Sequence, residues 1–144
     1  MVRILHKLIN RAAQEGIQVM FSDLRHRIHA YFTVFEESPY IVISKSLQKD
    51  LPLLRCVLAE ELGHYYTSAG FGVPISHVLY RGRVKLSKDE HRALRWAARY
   101  LLPMDKLIQS IHEGMRCPEL AEHFCVTEEM VHFRLQMIKV EAAS

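Results

Sequence analysis

Glu60-Glu61-Leu62-Gly63-His64 places two adjacent carboxylates and an imidazole inside a stretch, Leu51 to Tyr66, whose other residues are nearly all apolar. Burying such groups unpaired costs on the order of several kcal/mol, so they need partners. In a helix, residues four apart share one face, which lets Glu60 and His64 reach a single point while Glu61 is turned about 100° away from Glu60. This is the HExxH spacing with glutamate replacing the first histidine. In HExxH proteins the residues at i and i+4 bind zinc, and the glutamate after the first ligand is the general base on water. Those roles fall here to Glu60 and His64 as metal ligands and to Glu61 as the catalytic base.

A catalytic zinc takes three protein ligands and keeps one position open. In Ser87 to Leu102, Lys88, Arg92, Arg95 and Arg99 share one helical face, which must be solvated, and Glu90, Leu94, Ala97 and Leu101 form the opposite one. Glu90 is thus a carboxylate on a core-facing stripe and the candidate third ligand; Asp89 and His91 are rotated off it. Plainer readings compete. Glu60-Glu61 also suits a solvated patch, His64 a hydrogen-bonded histidine, and Ser87-Lys88-Asp89-Glu90 a capping box in which Glu90 reaches back to the Ser87 N–H. Cys56 lies one turn before Glu60 and is either an alternative thiolate ligand or a buried free cysteine. Tyr65, Tyr66 and His77 are candidate oxyanion donors, although aromatic residues beside a buried helix are more often core. Gly63 costs about 1 kcal/mol in a helix relative to Ala, which implies a close backbone approach near a metal or a packing contact.

These residues need elements to hold them. Ile4, Leu5, Leu8, Ile9, Ala12 and Ala13 recur at helical spacing and stop at Gly16. Ile17–Phe21, Ala30–Phe35 and Tyr40–Ser44 read as strands, the last two joined by the turn residues Glu36-Glu37-Ser38-Pro39. Asp50 and Pro52 open the long buried helix, which runs to Ser68 and Gly70. Phe71 to Lys85, with Gly72, Pro74 and Gly82, shows no stable period and is expected to be an irregular connection, one that could overhang a site. Helices follow over Ser87–Leu102, ended by Pro103, and over Met104–Glu113, closed by Gly114. Pro118–Phe124, a turn at Cys125-Val126 and a helix capped by Thr127 make a helix-turn-helix shape. The expected class is α+β: an N-terminal helix, a small three-stranded antiparallel sheet, the site helix, then helices. Residues 1–103 would be the core and 104–144 a helical segment packed on it as one compact domain.

The 144 residues, 49% hydrophobic and 24% charged, suit a single globular domain. No run of about 18 apolar residues occurs, and Arg3, His6 and Lys7 interrupt the start, so neither a membrane span nor a signal peptide is expected. Cys56, Cys117 and Cys125 form no CxxC pair, which fits a reducing cytoplasm. A net charge of +3 is too mild to imply nucleic acid.

Leu58-Ala59-Glu60-Glu61-Leu62-Gly63-His64-Tyr65-Tyr66-Thr67 resembles the active-site helix of the ImmA/IrrE family of phage and mobile-element metallo-endopeptidases. Glu90 through Pro103, with its Trp96-Ala97 pair and Leu101-Leu102, is similar to that family's second signature. Pro39 to Ile43 resembles the strand before the active-site helix, and Leu120 to Thr127 the C-terminal helical segment. The resemblance implies a zincin-like fold, His64 and Glu90 as metal ligands, Glu61 as base, and Glu60 where a histidine would stand. It implies Zn2+ or another divalent metal, and a helix-turn-helix repressor as the protein substrate. Glu60 is the departure: a carboxylate adds negative charge and makes a bound metal a weaker Lewis acid.

Two other function classes compete with the peptidase. A DNA-binding module would use Leu120 to Leu135, but over Pro118 to Val140 the acids Glu119, Glu122, Glu128 and Glu129 outnumber Arg134 and Lys139, which disfavours phosphate binding. The basic face Lys88, Arg92, Arg95 and Arg99, aided by Arg81, Arg83 and Lys85, could touch nucleic acid, although a solvated helix face is the commoner explanation. A catalytically silent relative would bind a repressor without cutting it.

Overall fold

A computed structural model describes residues 2–25, 27–67, 76–78 and 88–143. Helix α1 (Val2–Gln14) ends as Gly16 and Ile17 turn back their N–H groups onto the Ala13 and Ala12 carbonyls. Gly16 takes φ +75°, the left-handed conformation that such a cap demands. Strands β1 (Gln18–Ser22), β2 (Ile28–Phe35) and β3 (Ser38–Ser44) follow. A 3₁₀ turn, Lys45–Lys49, leads into α2 (Leu51–Thr67). Beyond lie β4 (Ser76–Val78), α3 (Lys88–Leu101), α4 (Met104–His112), α5 (Cys117–Phe124) and α6 (Glu128–Ala143).

The class is α+β, but the sheet departs from the expected three antiparallel strands. Its order is β1-β3-β2-β4, and β1 runs parallel to β3. Turn chemistry at Glu36-Glu37 correctly makes β2 and β3 a hairpin, with Phe35 opposite Ser38. It says nothing of which edge β1 joins. Ile41, Val42 and Ile43 are each buried, as an unbroken apolar run in a covered strand should be, but such a run does not say which strand lies beside it. The expectation that Phe71 to Lys85 is wholly irregular is corrected at Ser76–Val78, which pairs antiparallel with β2. Three residues are too few to show a period. The rest of Phe71 to Lys85, with its expected overhang and the basic Arg81, Arg83 and Lys85, lies outside the described residues, as do Ser68, Gly70 and Ser87.

Helix α2 is the centre of the molecule. Every residue from Leu54 to His64 is buried, so the helix presents no solvated face. The sheet, α1 and α3 pack around it. One hydrophobic cluster joins Leu8 and Ala12 of α1, Ile41 and Ile43 of β3, Val57, Leu58 and Leu62 of α2, and Leu107, Leu120 and Val131 of the C-terminal helices.

Candidate metal centre on the buried helix

The side chains of Glu60 and Glu61 are fully buried and His64 is 3% exposed. The reading of Glu60-Glu61 as a solvated patch is thereby corrected. Each of the three interacts with neighbouring groups, as burial of charge requires. Their helix has nowhere to turn them outward, because the apolar residues at the intervening positions are buried as well.

Gly63 sits between these residues and decides how near α3 can come. A Cβ there would lie well inside van der Waals distance of the Ala93 carbonyl oxygen and within about 3 Å of Ala93 Cα. The two backbones are therefore in direct contact, and the glycine is the packing contact foreseen as one of its two readings. One turn before Ala93 on the same helix is Glu90, half-buried and interacting with neighbouring groups. The rest of its stripe, Leu94, Ala97 and Leu101, is buried, and Lys88, Arg92 and Arg99 are exposed. Arg92 pairs with Asp89, and Arg99 with Glu141 of α6 at 2.9 Å. The basic face is thus a solvated one partly neutralised by acids.

Two assignments fall away. Tyr65 and Tyr66 do not supply oxyanion donors to the site; both hydroxyls donate to Glu15 beyond the end of α1, at 3.2 and 2.9 Å. Arg11 donates to the Tyr66 hydroxyl at 2.9 Å and lies over its ring. The pair clasps α1 to α2, and Tyr66 continues into a stack with Trp96 and Tyr100 of α3. Spacing alone could not separate the two faces of a helix buried all round. Cys56 likewise faces the C-terminal helices: its Sγ accepts the Thr127 N–H at 3.5 Å and lies 3.7 Å from the Thr127 hydroxyl. Burial pushes its thiol up to about 12, which keeps it protonated at neutral pH beside Thr127. His77 lies in β4, opposite Ala30.

Sequence reasoning missed the role of Arg55, which is buried one residue before Cys56. Its guanidinium donates to the Phe124 and Cys125 carbonyls at 2.5 and 2.8 Å, capping the C-terminal end of α5. Desolvation lowers its pKa from the usual arginine value. Arg134 does the same for α3, donating to the Leu102 carbonyl at 2.9 Å. The signal was available: a lone arginine in a run of apolar residues, Leu51 to Val57, needs acceptors as much as Glu60 does.

A divalent cation is the group that this donor set suits. Carboxylate oxygen and imidazole nitrogen are its usual ligands, and i, i+4 spacing aims Glu60 and His64 at one point. The donor chemistry and burial fit. Among the described residues, however, no three His, Cys, Asp or Glu side chains already converge at ligating spacing. A family model described as Peptidase_M78, the IrrE N-terminal-like domain, matches residues 12–136. No curated protein matches the chain.

Proposed function

The chain belongs to the Peptidase_M78 family, the IrrE N-terminal-like domain, and on that premise we propose that it is a metal-dependent endopeptidase whose substrate is a helix-turn-helix repressor. The single observation that carries the chemistry is the complete burial of Glu60 and Glu61, together with His64, within one turn of the central helix. Membership makes a metallopeptidase-type activity the coarse function. The repressor as substrate rests on the resemblance of the active-site and C-terminal segments.

Glu60, His64 and Glu90 are the residues that would hold the cation, zinc or another divalent metal. When bound, such an ion supplies Lewis acidity to the scissile carbonyl. Glu61 takes the proton of the attacking water and passes it to the departing amine nitrogen, one carboxylate serving as base and then acid. Its position next to Glu60 in sequence but about 100° around the helix lets it face the substrate while Glu60 faces the cation. Gly63 holds α3 close enough for Glu90 to approach from the neighbouring helix.

A second reading has its own support. Glu60 stands where the family has histidine, and the three candidate ligands are not gathered in advance. A silent relative that binds a repressor without cutting it would show both features. Metal content by elemental mass spectrometry, on wild type, His64→Ala and Glu90→Ala, together with cleavage of candidate repressors, separates the two. About one ion per chain, lost in both variants, with cleavage in wild type, supports the peptidase. No metal under any loading condition leaves binding alone.

A further inference from the structure

We propose that the hollow at the end of the sheet, between the β1–β2 connection and the start of the 3₁₀ turn, binds a small phosphate ester. It encloses about 480 Å³ and is lined by Asp23, Arg25, Arg27, His29, Ser44 and Ser46, among others. That volume lies within the range of small-molecule sites, about 300–1,000 Å³. Leu24 and Ile28 supply an apolar part of the lining, and the charged and hydroxyl-bearing side chains supply a polar part that suits an ionic group.

Three observations converge there. His29 is 7% exposed yet lines the hollow, and its place in the sheet explains how. Ile28 pairs with Val78 and Ala30 with His77, so His29 is the additional residue of a β-bulge. Bulges re-aim a side chain out of the pleat's alternation and recur beside binding sites. Second, the exposed Arg25 and Arg27 line the same hollow, and neither makes an ion pair or side-chain hydrogen bond among the described residues. Arg27 holds φ +80°, a left-handed conformation that costs a non-glycine residue on the order of 1 kcal/mol and tends to persist where function requires it. Third, Ser44 is 6% exposed, and its hydroxyl is held by the Ser46 N–H at 3.3 Å and the Ser46 hydroxyl at 2.8 Å.

Two planar guanidinium forks, a buried imidazole and two ordered hydroxyls suit the oxygens of a phosphoryl group, which Arg grips bidentately. The carboxylate of Asp23 would repel a bare anion but accepts hydrogen bonds from hydroxyls. The ligand class is therefore a phosphate ester that also carries hydroxyls, a nucleotide or a sugar phosphate. None of Glu60, Glu61, His64 and Glu90 lines it, so its test does not depend on the peptidase reading.

Titration calorimetry of the full chain with AMP, glucose 6-phosphate, inorganic phosphate and adenosine tests the proposal. At least one ester should bind with Kd of about 1 mM or tighter, and R25Q/R27Q should weaken it about tenfold or more, roughly 1.4 kcal/mol, with an unchanged melting temperature. Because both arginines are exposed, this variant reports on binding rather than folding; His29→Gln, checked by circular dichroism, should weaken it too. Whether AMP or glucose 6-phosphate binds more tightly identifies the carrier of the phosphate. Binding of neither ester, equal binding of inorganic phosphate or adenosine, or an R25Q/R27Q variant that binds like wild type would overturn it.

Discussion

Glu61 and Cys56 are both buried on α2, yet they sit at opposite ends of the chemical scale. Glu61→Gln preserves volume and removes only the proton acceptor. Hydrolysis should fall about 10²–10⁴-fold, the usual weight of a positioned general base, while metal content and melting temperature stay at wild-type levels. Near-normal turnover in a cleavage assay would remove Glu61 from the role. Cys56 is instead kept inert. Its thiol is raised by burial from 9.0 to about 12, so the stabilisation from keeping it protonated is complete below pH 9 and is lost as pH rises through 12. Urea unfolding at pH 8 and pH 10.5 should show a fall in stability that is smaller in Cys56→Ala. In a thiol-labelling experiment at pH 7.5, the half-buried Cys117 should react in the folded protein, and buried Cys56 and Cys125 only after denaturation.

At the scale of elements, the α2–α3 contact is the sensitive joint. Gly63→Ala would drive a methyl group into the Ala93 carbonyl, backbone against backbone, with no flexible side chain to yield. Overpacking of this kind costs about 1–3 kcal/mol or more, and α3 must shift, taking Glu90 with it. The expected result is a lower melting temperature together with weaker metal binding; an unaffected metal affinity would mean that Glu90 is no ligand. The β2–β3 turn offers a change of opposite sign. Glu36 and Glu37 hold φ +49° and +66°, the pair of left-handed conformations of a type I′ turn, which favours Asn-Gly. E36N/E37G should stabilise the protein by about 0.5–1 kcal/mol in denaturant titration, without altering the site. The turn's place was legible in Glu36-Glu37-Ser38-Pro39, but its handedness follows from the two-residue register, which only the paired strands display.

The whole molecule should unfold as one unit. Leu107, Leu120 and Val131 from beyond residue 103 share a cluster with Val57, Leu58 and Leu62 of the site helix. Arg55 ties that helix to the end of α5, and Cys56 meets the cap of α6. Calorimetry should give a single transition with equal calorimetric and van't Hoff enthalpies. Arg55→Ala leaves two helix-end carbonyls without their donor and should cost about 2–4 kcal/mol, read as a drop in melting temperature. Two separate transitions would instead make 104–144 its own folding unit. Cys125, left-handed at φ +53°, makes the tight turn between α5 and α6 that the spacing led one to expect. Its N-terminal neighbours, though, are spent on capping and core contacts with α2.

The chain by itself determined which residues are chemical and where the helices lie. Carboxylates and an imidazole amid apolar residues can be read without coordinates, because their burial must be compensated; helix ends can be read because caps use local chemistry, as at Gly16 and Thr127. Tertiary structure alone decided what no short window contains: that β1 joins β3 in parallel, that Tyr65 and Tyr66 turn to Glu15, that Cys56 meets Thr127, and that Gly63 seats the helix carrying Glu90. Each depends on which distant segment fills the neighbouring space. In a helix buried on every side, periodicity leaves that choice open and packing makes it.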